Sequence, residues 1–224
     1  MKLTTLRRSA GIATAALALS VSLAACGDDD EPSSGSDNTS DSSASSSSGS
    51  DDAAGAEAQT FGDGCAEVPK DGAGSFDGMV KDPVATAASN NPILKSLVAA
   101  VGSVDGLADT LNSAPELTVF APYDGAFAEI PEAQLNTMVK DAKKNGQKSD
   151  LYGILAHHVL GANDDPKAVV GDQETLAGDT LTVEGDENGM TVSDGTVTAN
   201  VLCGNIPTAN ATVYVIDKVL TGVK

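Results

Sequence analysis

The stretch Gly178-Asp179-Thr180-Leu181-Thr182-Val183-Glu184-Gly185-Asp186-Glu187-Asn188-Gly189-Met190-Thr191-Val192-Ser193-Asp194-Gly195-Thr196-Val197-Thr198-Ala199 reads as strands joined by tight turns. Leu181 and Val183 are separated by a threonine, as are Met190 and Val192, and Val197 and Ala199. This alternation of period two marks strands with one buried face. Gly178-Asp179, Asn188-Gly189 and Asp194-Gly195 fall between the runs, where tight hairpin turns need positive backbone angles. Val213 to Leu220 is the longest strand candidate.

Working upstream, the texture before Pro166 is helical. Asn91-Pro92 offers an N-cap followed by proline at the first helical position, Leu94, Leu97, Val98 and Val101 share a face, and Gly102 stops the run. Val104, Leu107, Ala108 and Leu111 mark a second helix. Leu117-Thr118-Val119-Phe120 is β-prone and ends before Pro122. Pro131 opens a further helix with Leu135, Met138, Val139 and Ala142 on one side and Gly146 after it. Ser149 or Asp150 caps the next, whose stripe is Leu151, Ile154, Leu155 and His158. A helical first half feeding a mostly antiparallel second half predicts an α+β fold rather than a parallel α/β sheet.

The N-terminus carries an address. Lys2, Arg7 and Arg8 precede an apolar run from Ala10 to Leu19 that is too short to span a bilayer comfortably, the layout of an export signal. It closes on Leu23-Ala24-Ala25-Cys26, which resembles the lipobox of bacterial lipoproteins, where the thiol receives a diacylglycerol and becomes the first mature residue. Two or more acyl chains hold far better than one, since each buried methylene contributes about 0.8 kcal/mol. Residues 1–25 are thus expected to be a signal peptide and Cys26 the site of a lipid anchor. The expected location is the outer face of the bacterial cell membrane. Arg7-Arg8 does not decide between export pathways. Residues 26–60 are almost wholly Asp, Ser, Gly, Ala and Glu, a composition without the apolar residues that offset ordering entropy, and read as a disordered stalk. The domain proper is expected over residues 61–224.

With Cys26 lipidated, Cys65 and Cys203 remain as a pair in an oxidising compartment, and parity favours a disulfide over two buried thiols. No Cys and His cluster at ligand spacing supports a metal site. The formal net charge of −19, from 13 basic and 32 acidic residues, excludes nucleic acid as an expected partner and disfavours direct docking on an anionic membrane. There is no tryptophan, so stacking platforms are not apparent. Asp28-Asp29-Asp30 reads as solvated charge, lacking the fixed oxygen cage that calcium requires.

Catalytic chemistry is not signalled. No Gly-x-Ser-x-Gly, phosphate loop or dinucleotide fingerprint occurs. His157 and His158 are the only histidines; adjacent on a helix, they point about 100° apart, which is wrong for joint chelation. His158 continues an apolar stripe and reads as a satisfied, partly buried histidine, Tyr214 as sheet packing with its hydroxyl at an edge. Asn210-Ala211-Thr212 matches the N-glycosylation pattern by chance in a bacterial lipoprotein. The reading is a non-enzyme without cofactor, metal or catalytic residues.

Thr118-Val119-Phe120-Ala121-Pro122-Tyr123-Asp124-Gly125-Ala126-Phe127 resembles the first conserved box of the fasciclin domain, and Asn210-Ala211-Thr212-Val213-Tyr214-Val215-Ile216-Asp217-Lys218-Val219-Leu220 the second. Ala156-His157-His158-Val159-Leu160 sits where the family carries its Tyr-His pair. The three boxes fall in the right order over roughly residues 70–222, and Asp82 to Pro92 and Thr208 to Tyr214 are similar to the actinobacterial surface-lipoprotein branch. The resemblance implies a wedge of two small β-sheets with helices packed along one side. It also implies a lipid-anchored surface module for adhesion or recognition, with a surface protein or glycan as partner. His157 stands where tyrosine is usual, Tyr214 where histidine is common and Tyr123 where a small hydroxyl residue is common. Asn205-Ile206 occupies the place of an Asp-Ile pair implicated in integrin contact in animal relatives. The expected recognition set is therefore Asn205, Ile206, His157, His158 and Tyr214, with Asp124 expected to cap the helix bearing Phe127. The alternative is an envelope carrier of small molecules or lipids, its ligand in a cleft near His157, His158 and Tyr214.

Overall fold

The computed structural model describes residues 51–223. The export signal, Cys26 and most of the expected stalk lie outside the described residues. The last part of that stalk is structured: Asp51–Ala58 forms helix α1, with Ala56 buried. Its alanine content supplies the helix propensity that the acidic, serine-rich composition around it obscures.

The helices come first. After a 3-10 turn at Asp63–Glu67 follow α2 (Phe76–Met79), α3 (Val84–Asn90), α4 (Lys95–Gly102) and α5 (Leu107–Ser113). Strand β1 (Leu117–Pro122) leads to α6 (Asp124–Ala128), α7 (Glu132–Asn145) and α8 (Asp150–His157). Strands β2 (Val159–Leu160), β3 (Gly171–Glu174), β4 (Thr180–Asp186), β5 (Gly189–Ser193), β6 (Thr198–Pro207) and β7 (Ala211–Ile216) complete the chain. The fold is α+β.

The strands run in the order β2-β1-β7-β6-β5-β4-β3. All pairings are antiparallel except β1 with β7, which is parallel and runs from Leu117 opposite Ala211 to Pro122 opposite Ile216. Two small sheets meet in β6: residues 198–200 pair with β5, whereas Val201 to Pro207 pair with β7. The free edges of β2 and β3 also approach, through a bridge between Leu160 and Thr175 and a 2.8 Å bond from the Leu176 N–H to the Val159 carbonyl. The result is nearly a barrel.

Two apolar clusters follow from this geometry. Phe120, Leu160, Leu181, Val183, Met190, Val192, Tyr214 and Ile216 fill the space enclosed by the strands. Leu117, Val119, Ala121, Val213, Val215 and Ile206 pack outward against the helices. β1 and β7 thus bury every residue, one face in each cluster.

The longest strand is β6 rather than the run after Val213, and β7 ends at Ile216. Asp217 stops it by turning back: its carboxylate accepts from the Asn200 N–H at 2.7 Å and from Asn200 Nδ2 at 2.6 Å. The ladder slips between Val201, Cys203 and Ile206, and Asn205 within the slip adopts a left-handed φ of 57°. A bulge of this kind adds one residue, so Cys203 and Ile206 both face the helices despite their odd spacing. Asparagine tolerates the conformation better than most residues. Cys203 there is bonded to Cys65 with a Cα–Cα distance of 4.8 Å. Beside it the Phe61 ring lies over Gly204, where a side chain would run into the ring.

Long-range side-chain caps hold the helices to the strands. Asp124 does not cap its own helix: it sits within the first turn of α6, behind the N-cap Tyr123, and its Oδ1 accepts from the Ser96 N–H of α4 at 2.7 Å. Helix α4 correspondingly starts at Lys95, later than Asn91-Pro92 suggests, because the Asn91 side chain closes a turn with the Ile93 N–H instead. Asn210, just before β7, accepts from the Val84 N–H at the start of α3 and donates to the Leu111 and Ala114 carbonyls at the end of α5. Its amide is fully used.

Candidate functional site

The sequence-derived candidates converge on the end of α8. His157 is 1% exposed; its Nδ1 lies 2.7 Å from Asp179 Oδ1, in the turn between β3 and β4, and its Nε2 3.7 Å from Asp194 Oδ2, in the turn between β5 and β6. Thr175 also donates to Asp179. Asp194 Oδ1 accepts from the Thr196 and Val197 N–H groups and Oδ2 from that of Gly222, at 2.6–2.7 Å. Burial alone would raise the Asp194 pKa, but these three donors and His157 outweigh it and hold it below the usual carboxylate range. His157 therefore bonds α8 to the turn before β4 and lies beside the turn before β6, whose Asp194 is itself bonded to the C-terminal segment at Gly222.

His158 points elsewhere. Its Nδ1 is 2.7 Å from the Ile154 carbonyl, and its Nε2 is 3.0 Å from the Leu220 N–H. A carbonyl only accepts and an amide N–H only donates, so the ring is fixed as the neutral Nδ1–H tautomer. Burial pushes its pKa down to about 4, with His157 adding to the effect. Both ring nitrogens are spent on the backbone, which leaves no lone pair for proton transfer or metal ligation. The reading of His158 as a satisfied histidine describes this geometry.

Tyr214 is fully buried in the strand-enclosed cluster, its ring centroid 5.7 Å from that of Phe120 and 6.4 Å from that of Phe61. Its hydroxyl donates to the Asp164 carbonyl at 3.0 Å rather than lying at a sheet edge. Burial, with Asp165 and Asp164 nearby, raises its pKa. Ile206 is 1% exposed, and Asn205, half-buried, donates to the Gln59 carbonyl at 2.8 Å. Of the expected recognition set, only Asn205 reaches solvent in the folded domain. The other four side chains face the interior, where surface contact would require the domain to open. Among the described residues no group of three or more His, Cys, Asp or Glu is disposed to hold a metal ion. No described helix is long and apolar enough to cross a membrane.

What sequence reading missed is a cavity of about 310 Å³ between α3, α4, α5 and α8, floored by Val119, Phe120 and Val159. None of its lining residues carries a charge at neutral pH. His158 lines it; His157 and Tyr214 do not, so the three candidates do not share one cleft. The sequence signal for it is faint: a run of small residues, Ala85, Thr86, Ala88 and Ser89, along one side of α3. A second cavity of about 340 Å³ lies between α6, α7 and α8, with Glu129 at its edge.

The chain has relatives among known proteins. The fasciclin domain family model matches residues 92–222. The cell surface glycolipoprotein MPB83 of Mycobacterium bovis is 42% identical over 170 residues, covering 73% of this chain and 72% of that protein. The immunogenic protein MPB70 of the same species is 43% identical over 172 residues, covering 74% and 83%. Protein sll1483 of Synechocystis is 30% identical over 141 residues. A solved domain pair of the insect cell adhesion molecule fasciclin I aligns with a TM-score of 0.44 at 23% identity, covering 58% of this chain and 44% of that one. By the extent of the family match and these identities, the chain belongs to the fasciclin domain family.

Proposed function

We propose that this protein is a lipid-anchored cell-surface module that recognises a partner outside the cell and catalyses nothing. The observation that carries the reading is the combination of Leu23-Ala24-Ala25-Cys26 with 42% identity to a protein named a cell surface glycolipoprotein. The net charge of −19 favours a cationic surface protein or a neutral glycan as partner over nucleic acid or bare anionic lipid. The acyl chains then supply the membrane attachment that the protein surface does not. Detergent phase partitioning tests the anchor: wild type should enter the detergent phase and Cys26→Ala the aqueous phase, and equal partitioning rejects it. A binding screen of the exported chain against matrix proteins and envelope glycans tests recognition, and a uniformly negative screen counts against it.

A second reading, an envelope carrier of small apolar molecules, is favoured by one observation, the uncharged cavity beneath α3, α4 and α5. Native mass spectrometry of protein taken from its own membrane separates the two, because a carrier retains a ligand there.

A further inference from the structure

The cavity between α3, α4, α5 and α8 is kept open by polar ties at its ends. Asn210 pins the start of α3 to the end of α5, and Asn112 Oδ1 accepts from the Ala85 and Thr86 N–H groups at 2.9 and 3.3 Å. These bonds fix the two helices at their termini, so α3 and α5 cannot close on the space between them without giving up partly buried hydrogen bonds. At about 310 Å³ the cavity is roughly twice the size of the apolar cavity of about 150 Å³ that accepts benzene. By that scale it holds a chain of about a dozen carbons.

Its mouth is marked independently. Leu176, 51% exposed, is the most exposed large hydrophobic side chain among the described residues, and it lines this cavity. Ser89 and Thr110, both exposed lining residues, donate their hydroxyl protons to the Thr86 and Gly106 carbonyls, which leaves their oxygens available as acceptors. No lysine or arginine lines the cavity, and the chain as a whole is strongly acidic. A carboxylate or phosphate head would find no counter-charge there and a repelling field around it.

We propose that this cavity binds a single medium-length alkyl chain with an uncharged, hydroxyl-bearing head group, the chain lying among Leu97, Val101, Leu107 and Leu155 and the head at Ser89 and Thr110. The inference rests on the carrier reading and commits it to a ligand class. It does not depend on a surface partner, because a recognition module could carry such a ligand on a different face.

The test uses the full chain with Cys26→Ala, so that no acyl chain of its own competes. Displacement of the neutral fluorophore N-phenyl-1-naphthylamine is followed on titration with 1-hexanol, 1-dodecanol and dodecanoate at pH 8. Dodecanol should displace the probe at least about tenfold more tightly than hexanol, since added methylenes are buried, and at least about tenfold more tightly than dodecanoate. Ala108→Phe, which fills the cavity, and Leu176→Glu, which charges its mouth, should each weaken dodecanol at least about tenfold. Leu176 is exposed, so its variant remains decisive if Ala108→Phe fails to fold. Dodecanoate binding as tightly as dodecanol overturns the head-group assignment and leaves the carrier reading standing. Absence of displacement by any chain overturns both, and dodecanol binding indifferent to Leu176→Glu removes it from this cavity.

Discussion

Strands β7 and β4 both lie between two hydrogen-bonded neighbours, yet β7 buries all six of its residues and β4 only Leu181 and Val183. The difference is what covers the outer face. Around β1, β7 and the second half of β6 the helices seal it, and side chains enter both apolar clusters. Around β3, β4 and β5 the outer face meets water, and threonine, glutamate and aspartate alternate with the core. Strands enclosed on both faces lose their alternation and tolerate parallel pairing; strands enclosed on one keep it and close by hairpins. The domain is thus a hairpin half with one core, joined through β6 to a half that belongs to two.

The largest contrast should come from placing a charge on the outer face of each half. Val215→Asp in β7 buries a carboxylate among apolar side chains with no partner and should abolish folded protein, since the penalty of several kcal/mol consumes most of a domain's stability. Thr182→Lys in β4 sits in solvent and should change stability by no more than about 0.5 kcal/mol. Urea midpoints of the two variants check this, and equal losses would erase the distinction between the halves.

The disulfide holds the lead-in segment at Cys65 to β6, where the halves join. Closing a loop with a sequence separation of 138 is worth up to about 5 kcal/mol in the chain-entropy model. Reduction should therefore lower the melting temperature by about 10–20 °C, at about 2–4 °C per kcal/mol for a domain of this size. A melting temperature unchanged after verified loss of both half-cystines would show that Phe61 and the surrounding backbone bonds hold the segment unaided.

Acid should weaken the bond that His158 makes to the C-terminal segment at Leu220. The folded His158 is protonated only near pH 4, whereas the unfolded chain binds that proton near 6.5. The unfolded state therefore holds more protons between those values, and stability rises with pH across that window and is complete above it. The loss on acidification amounts to about 3 kcal/mol. Asp194 acts in the same sense at lower pH: its folded pKa is depressed, so its contribution is present above the ordinary carboxylate value and lost below it. Urea midpoints from pH 7 to 4 should fall for wild type, and the slope between 6.5 and 4 should flatten in His158→Gln. An identical slope in the variant would move the acid sensitivity away from α8.

The same contrast governs what the sequence discloses. The hairpin half is readable because each residue of β4 and β5 reports a single environment; Leu181, Val183, Met190 and Val192 all lie where alternation puts them. The glycines at 178 and 195 do adopt positive φ there, whereas Gly189 does not: it already pairs with Asp186 in the ladder, and the turn falls on Glu187 and Asn188. In the enclosed half, Thr118-Val119-Phe120-Ala121 shows β propensity but nothing of its parallel partner, which lies some ninety residues downstream and is selected by packing on both sides. The bulge at Asn205 is hidden for a related reason, since glycine, asparagine and proline, which stand at 204, 205 and 207, are residues that local pattern assigns to turns rather than to the middle of a strand. Among the candidates, His158 continued a helical stripe and was legible as core. His157 depended on Asp179 and Asp194, brought to it by two turns that no local pattern connects.

The smallest of these effects concerns Asn210, whose side chain does for the helices of the enclosed half what Asp217 does for the strands. Its carbonyl oxygen caps α3 at the Val84 N–H, 2.9 Å away, and its amide donates to the Leu111 and Ala114 carbonyls at 2.8 and 2.9 Å. Helix ends leave such groups without internal partners, and an N-cap alone is worth about 1 kcal/mol. Asn210→Ala removes all three bonds and should cost about 2 kcal/mol, while Asn210→Asp keeps the cap, loses both donors and sets a carboxylate against two carbonyls. The aspartate should therefore be no better than the alanine despite retaining a cap, a ranking that the N-cap contribution taken alone would reverse. If aspartate instead recovers most of the asparagine's stability, the bonds to α5 contribute little and Asn210 acts as an N-cap only. Because the two ends it joins border the cavity, the alanine variant should also loosen the walls of that cavity. Amide hydrogen exchange should accelerate across residues 84–90 and 107–113 and stay unchanged in β4 and β5.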